Sequence, residues 1–397
     1  MRKIEILKKI DHYVGLPLCV GLGVINKIFS LFRKGKVNPE EAGKILILKW
    51  FGLGSIIIFS PFLKKIKEKY KKSKIIFLTF PSRKGIVELF GICDEIRTIS
   101  TRNIFVFVKD TFRELLRLSM EKIDVCIDLE FFSKFSTLIA FLSGAKARIG
   151  LYLPFFWRNS LINFPVYFNP SKHIKRTYKM VCGVLGINVK SEEMEYEKIK
   201  IPQGEKDKFK KKYLKEFLPS HKLVVINPNA GELAECRRWP KEYFVEVVEW
   251  LCKKEEVRVI FIGTKEESSY VKEIIDLLSE STRRKVLDVS GKLNIKELIA
   301  LIDLSFLVIT NDSGPFHLAC LENTASVSIW GPGDPQLFGV DSSLHKILYL
   351  NYDCSPCIYL YQTKPALFCK GEIPCLREIK PSWVIEAVEE LWNEKKN

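Results

Sequence analysis

The sequence predicts an α/β protein built as two doubly wound domains in series. Short apolar, β-branched runs alternate with longer amphipathic stretches from Lys44 to Gly150, and again from Leu223 to Trp330. That is the rhythm of parallel strands joined by covering helices. Between the two series, residues 151–220 break into Pro-rich and Lys-rich pieces of the kind found at a domain connection. A chain of 397 residues is also long for one core and suits two. Two such sheets in series predict a binding cleft at their carboxyl edges.

Hydrophobic content of 47% and aromatic content of 12% argue for a folded chain rather than a disordered one. The formal charge of +16 suits anionic lipid, a phosphorylated substrate or nucleic acid. No zinc-finger, RNP-like or basic-zipper pattern accompanies it, which argues against nucleic acid. Eleven cysteines, an odd number, do not read as a secreted disulfide framework, and Cys126, Cys182, Cys252 and Cys320 lie inside apolar runs. The compartment implied is reducing and cytoplasmic.

Residues 1–43 stand apart. Arg2-Lys3 and Lys8-Lys9 precede an apolar stretch from Tyr13 to Phe32, and Arg33-Lys34-Gly35-Lys36 follows it. Pro17, three glycines, Asn26 and Lys27 weaken a membrane span, and no signal-peptide cleavage pattern is present. Basic flanks around an apolar segment favour an anchor lying at an anionic membrane surface through residues 1–36. A helical arm packed on the protein itself is the alternative.

In the first domain, residues 44–205, Lys44–Trp50 reads as a buried strand and Gly52-Leu53-Gly54-Ser55 as the turn into a helix over Ile56–Tyr70. The dinucleotide fingerprint is incomplete there, which argues against a nicotinamide cofactor. Strands follow at Ile75–Phe80 and Ile123–Leu129, with further short strands expected at Ile104–Phe107 and Ala147–Gly150. Asp128 and Glu130 fall at the carboxyl end of Ile123–Leu129.

The second domain, residues 206–380, opens with strand Leu223–Ile226 and the turn Asn227-Pro228-Asn229-Ala230-Gly231. Its centre is Leu307 to Pro335. An apolar strand there runs into Asn311-Asp312-Ser313-Gly314-Pro315, then a helix, a second apolar run and the turn Gly331-Pro332-Gly333-Asp334-Pro335. Asp312 or Ser313 is placed to cap that helix, and Pro315 suits its first turn. A helix start beside a strand's carboxyl end is where phosphate binds in α/β proteins, and His317 on the first turn adds a donor. Cys354, Cys357, Cys369 and Cys375 could hold a structural metal, but the second pair has the wrong spacing for a zinc finger, so no metal is assigned. A final helix within 381–397 has helical apolar spacing and is expected to lie across the domains.

Taken together, these pieces resemble the family 9 glycosyltransferases, the lipopolysaccharide heptosyltransferase group. KILILKWFGLGSIIIFSPFLKKIKEKY resembles the family's opening strand, glycine turn and helix. VVINPNAG with RRWP, and ITNDSGPFHLA with WGPGDP, resemble its second-domain entry and signature. The resemblance implies a GT-B fold of two facing Rossmann-like domains with a deep interdomain cleft. It also implies an enzyme that inverts the anomeric centre with no metal or other cofactor. The donor would be a nucleotide sugar, with an ADP-linked sugar as candidate. The acceptor would be lipopolysaccharide or another lipid-linked glycan, met at the inner membrane.

Glycosyl transfer needs the departing diphosphate stabilised and a base for the acceptor hydroxyl. For the diphosphate the candidates are Ser313, Gly314, His317 and Arg237, the last standing where the family has a lysine. Asp312, Asn229, Ala230 and Gly231 would line the same site, with Glu266 or Glu267 toward the ribose. Gly52 and Gly54 would lie on the acceptor side. Where the family carries an aspartate proposed as base, this chain has Ser55, whose hydroxyl is a poor base. Glu130 is the first substitute and Asp128 the second. The competing reading is a non-catalytic nucleotide-sugar-binding module that keeps the cradle without the base. A third is an epimerase-like enzyme that cleaves the donor without an acceptor.

Overall fold

The structure, a computed structural model, describes residues 9–30, 37–131, 133–154, 157–231, 235–340, 342–358, 369 and 372–394. The chain divides into two compact units, Met1–Glu195 and Tyr196–Asn397.

The first unit carries helix α1 (Gly15–Ser30), then β1 (Lys44–Leu48), α2 (Leu53–Lys69), β2 (Lys74–Thr79), α3 (Pro81–Phe90) and β3 (Glu95–Thr98). It continues with α4 (Ile104–Glu121), β4 (Val125–Asp128), α5 (Lys134–Leu142), β5 (Ala147–Tyr152), β6 (Phe164–Tyr167) and α6 (Ile174–Val184). All strand pairs are parallel, in the order β3-β2-β1-β4-β5-β6. The central strands are buried on both faces, as a parallel sheet covered by helices requires.

The second unit repeats the plan. Its principal elements are α7 (Gln203–Tyr213), β7 (Lys222–Asn227), α8 (Lys241–Cys252), β8 (Val257–Phe261), α9 (Ser268–Asp276) and β9 (Val286–Asp288). They continue with α10 (Ile295–Leu304), β10 (Leu307–Asn311), α11 (Gly314–Glu322), β11 (Ser326–Trp330), β12 (His345–Tyr349) and α12 (Pro381–Glu394). The sheet order is β12-β11-β10-β7-β8-β9, again wholly parallel. In both units the first strand lies beside the fourth, so the direction of winding reverses there. Each sheet therefore has its topological switch point at its centre, between β1 and β4 and between β7 and β10.

Several expectations need correction. Ile104–Phe107, read as a strand because Ile, Phe and Val favour strands, forms the first turn of α4. Asn103 caps it by accepting from the Val106 amide at 2.9 Å, and the Phe107 ring packs on Phe135 at 5.0 Å. Strands β3, β6 and β12 are additional to those read from the sequence; β6 alternates exposed residues with the half-buried Phe164 and the buried Val166, which weakens its apolar signal. Helix α12, expected across the domains, spends its apolar face within the second unit. Val384, Val388 and Leu391 join a core with Val247, Leu251 and Val327.

Helix α1 packs on the first unit. Gly15, Cys19 and Gly23 recur every four residues and form its buried face. A Cβ on Gly15 would come within 2.7 Å of the Lys134 side chain, so only glycine allows this approach. Asn26 donates to the Ser160 carbonyl at 2.6 Å, and Asp11 accepts from the Phe135 amide at 2.7 Å at the head of α5. No helix among the described residues is long and apolar enough to cross a membrane. A Cβ at Gly23 would overlap the Ser160 side chain. Gly23→Val is accordingly expected to loosen α1 from the Trp157–Ser160 turn, giving faster hydrogen exchange in α1 with the exchange of β1 and β4 unchanged.

Candidate active site

At the switch point of the second unit, two turns leave neighbouring strand ends and are tied to each other by asparagines. Asn311, the last residue of β10, donates to the Pro228 carbonyl at 2.8 Å and accepts from the Trp239 amide at 3.1 Å. Asn227, the last residue of β7, donates to Thr310 Oγ1 at 2.9 Å and to Ser313 Oγ at 2.8 Å. Buried backbone groups must be satisfied, and here side chains from the adjacent strand do it. Asn229 is buried and donates to the Ile262 carbonyl at 3.1 Å. Gly231, at φ 73°, takes the left-handed conformation that glycine favours, and its amide donates to Glu267 at 3.1 Å.

These bonds fix Asn229, Ala230, Gly231, Asp312 and Ser313 around the head of α11. Arg237 closes the group, donating to Asp312 Oδ2 at 3.1 Å and to the Ala230 carbonyl at 2.8 Å. Its buried Nε has no hydrogen-bond partner among the described residues. Neither expected cap is made. Ser313 occupies the N-cap position but has no side-chain cap bond, because its hydroxyl is held by Asn227 and Thr310. Asp312 is instead the ion-pair partner of Arg237. The helix start therefore keeps its first-turn amides, including that of Gly314, uncapped by either side chain. His317 is buried on that turn with its ring 5.2 Å from Phe316. Gly333 passes so close to Asp312 that a Cβ would overlap the carboxylate, which explains a glycine in the WGPGDP turn.

The two acids considered for the ribose separate clearly. Glu266 is exposed. Glu267 is buried and accepts from the amides of Gly231 and Thr264 at 3.1 and 2.9 Å, so it shapes the turn.

At the switch point of the first unit, Asp128 and Glu130 lie at the end of β4, both buried. Glu130 Oε1 accepts from the amides of Trp50 and Phe51 at 2.6 and 2.9 Å and lies 3.2 Å from the ammonium of Lys49, which is itself buried. All three contacts fall on one oxygen. Asp128 pairs with Arg158 at 2.5 Å and accepts from Ser136 at 2.6 Å. Burial holds the Asp128 carboxyl above the usual carboxylate range, although Arg158 beside it pulls the other way. Arg158 also donates to the Glu130 carbonyl at 3.1 Å. Ser55 donates to the Gly52 carbonyl at 2.9 Å, and Gly52 sits at φ 79° immediately before α2. Gly54 is buried in the first turn of α2. Lys49 and Arg158 were not singled out from the sequence. A lysine in an otherwise apolar strand was the available signal for the first; nothing marked the second.

Cys354, Cys357, Cys369 and Cys375 line a pocket of about 230 Å³ in the second unit, beside Tyr352 and Pro374. All are free thiols, and no group of three or more His, Cys, Asp or Glu among the described residues is arranged to hold a metal ion.

The profile of glycosyltransferase family 9 (heptosyltransferase) matches residues 115–365. The chain belongs to this family. It is a glycosyltransferase. A lipooligosaccharide heptosyltransferase 2 of Campylobacter jejuni serotype O:6 is 27% identical over 354 residues, which are 85% of this chain and 96% of that protein. Among solved structures, E. coli ADP-heptose lps heptosyltransferase II matches with a TM-score of 0.72 at 17% identity, covering 89% of this chain and 100% of that one. E. coli heptosyltransferase WaaC with ADP-2-deoxy-2-fluoro heptose matches with a TM-score of 0.61 at 14% identity, covering 87% and 99%. The two-sheet architecture is the GT-B fold that the sequence resemblance implied.

Breaking the buried Asp128–Arg158 pair leaves an uncompensated charge. Arg158→Leu is expected to cost about 3–5 kcal/mol in chemical denaturation. Adding Asp128→Leu should recover part of that loss, because no charge is then left behind.

Proposed function

We propose that this family 9 enzyme is an inverting, metal-independent transferase that moves a sugar from an ADP-linked donor of the heptose type onto lipopolysaccharide or another lipid-linked glycan. The observation that carries the reading is the Arg237 group at the head of α11. A cation whose Nε has no hydrogen-bond partner among the described residues stands beside a helix start whose amides neither Asp312 nor Ser313 caps. Such a pairing suits a departing diphosphate. The donor class is supported by the E. coli relatives, whose names include ADP-heptose and an ADP-linked fluoro heptose.

On this reading, residues 206–380 form the donor domain and residues 44–205 the acceptor domain. Arg237, the amides of Ser313 and Gly314, and His317 would stabilise the diphosphate as it leaves. Asn229, Ala230 and Gly231 would shape the wall, with Glu266 at the exposed ribose side. An acceptor hydroxyl would attack the anomeric carbon from the opposite face, near Gly52 and Gly54. Glu130 would take its proton, through the oxygen that does not hold Trp50, Phe51 and Lys49. Ser55, whose hydroxyl donates to Gly52, is not given that task, and Asp128, neutralised by Arg158, is second to Glu130. Residues 1–36 would hold the enzyme to the anionic cytoplasmic face of the inner membrane, where a lipid-linked acceptor is presented.

Thermal denaturation with ADP tests the donor site, since a ligand that binds only the folded state raises Tm. ADP at about 100 times its Kd contributes roughly 2.7 kcal/mol. A clear rise in Tm is expected for the unmodified chain, lost in Arg237→Ala and in His317→Ala and kept in Glu130→Gln. No rise with ADP or any other nucleoside diphosphate would remove the donor site from this turn.

A further inference from the structure

Helix α4 carries two apolar faces. Leu118 and the partly buried Leu115 and Phe107 join the core of the first unit, which accounts for its folding. On the other side Ile104, Val108, Phe112, Leu116 and Met120 recur every four residues and are all exposed, with Phe105 beside them. Phe105 is 83% and Met120 76% exposed, so the stripe stands in solvent rather than in a partly filled groove. A solvated helix is expected to be polar on its outer face, and a contiguous apolar stripe marks a binding surface.

The charges around the stripe say what covers it. Arg102, Lys109, Arg113, Arg117 and Lys122 are all exposed along it. The acids of the helix are engaged on the protein side. Asp110 accepts from the Ser100 amide and pairs with Arg113 at 3.1 Å, Glu114 is buried near Arg97, and Glu121 accepts from Arg97, while Arg117 pairs with Glu95 at 3.1 Å. Arg102, Lys109 and Lys122 therefore carry the cationic excess along the stripe. A second copy of the chain would bring the same cationic border against this one across a two-fold axis. An anionic lipid surface would meet the cations with opposite charge and the apolar stripe with acyl chains. Both α4 and α1 pack on α5. Helix α1 exposes Leu18, Val24 and Ile28 on the side away from its docked glycines.

We infer that the exposed face of α4 is a second lipid-binding surface, which inserts Phe105, Phe112 and Met120 into an anionic bilayer alongside α1. The inference rests on the membrane association proposed above but adds a contact outside residues 1–36.

Co-sedimentation of the full chain with phosphatidylglycerol-containing vesicles, and with pure phosphatidylcholine vesicles, tests it. The triple variant Phe105→Ser, Phe112→Ser, Met120→Ser changes only exposed side chains, and its Tm and its ADP-induced shift report that the fold is intact. Partition onto the anionic vesicles should fall on the order of tenfold or more in this variant and weaken with salt in the unmodified chain. Little binding to phosphatidylcholine is expected. If Leu18→Ser, Val24→Ser, Ile28→Ser abolishes binding while the α4 variant binds like the unmodified chain, the α4 surface is overturned and the membrane reading stands. If the unmodified chain binds neither vesicle, both fail. A change from dimer to monomer in the α4 variant, with vesicle binding unaltered, would make the stripe a self-association surface and overturn the inference.

Discussion

Parallel sheets end in turns whose backbone groups cannot pair with the sheet, and at the switch point two such turns lie side by side. In this chain polar side chains at neighbouring strand ends satisfy them. Asn227 and Asn311 do so in the second unit, through the carbonyls of Asn229 and Pro228, and Glu130 with Asp128 and Arg158 in the first. Buried polar groups of this kind are costly unless every partner is present. The turns are therefore held in one arrangement, and the candidate site inherits its rigidity from them.

That rigidity gives the two switch points different characters. The second-unit turn holds a cation, uncapped helix amides and a left-handed glycine around the head of α11. On the proposed reading it would receive the donor's diphosphate, and Asp312 is the partner of Arg237 in its absence. The first-unit turn holds two carboxylates whose charges are already answered by Lys49 and Arg158. Glu130 braces the Trp50–Phe51 turn, and the proposed function would add to that the role of proton acceptor in place of Ser55. A serine in the aspartate's position also fits locally, since its hydroxyl closes the first turn of α2 onto Gly52.

The alternation of apolar runs was enough to read the doubly wound class, because buried parallel strands have few other sequence solutions. The central strands β1, β2, β4, β7, β8 and β10 were legible for that reason. Strands β6 and β12, half-buried at the sheet edges, were not. Ile104–Phe107 misled because its β-branched and aromatic residues are divided between the exposed stripe (Ile104, Phe105) and the core side (Phe107) of a helix rather than forming a strand. The grouping of Arg237 with Asp312 and Ala230 followed from motif positions. The caps did not, since Ser313 and Asp312 found stronger partners in residues far away in sequence. Arg158 was invisible because its contacts with Asp128 and Glu130 lie about thirty residues earlier in the chain. For α1, the packed-arm alternative describes its docked side: its small residues sit on the first unit, while Leu18, Val24 and Ile28 remain exposed.

The most direct test of the account is ADP release from an ADP-linked heptose, followed with and without a heptose-deficient lipopolysaccharide acceptor in the presence of a chelator. The account predicts release that requires the acceptor, survives chelation and yields a glycoside of inverted anomeric configuration. Release without acceptor and without glycoside would contradict transfer and point to donor cleavage. Tight donor binding with no release across a panel of lipid-linked acceptors would contradict it in favour of a binding module.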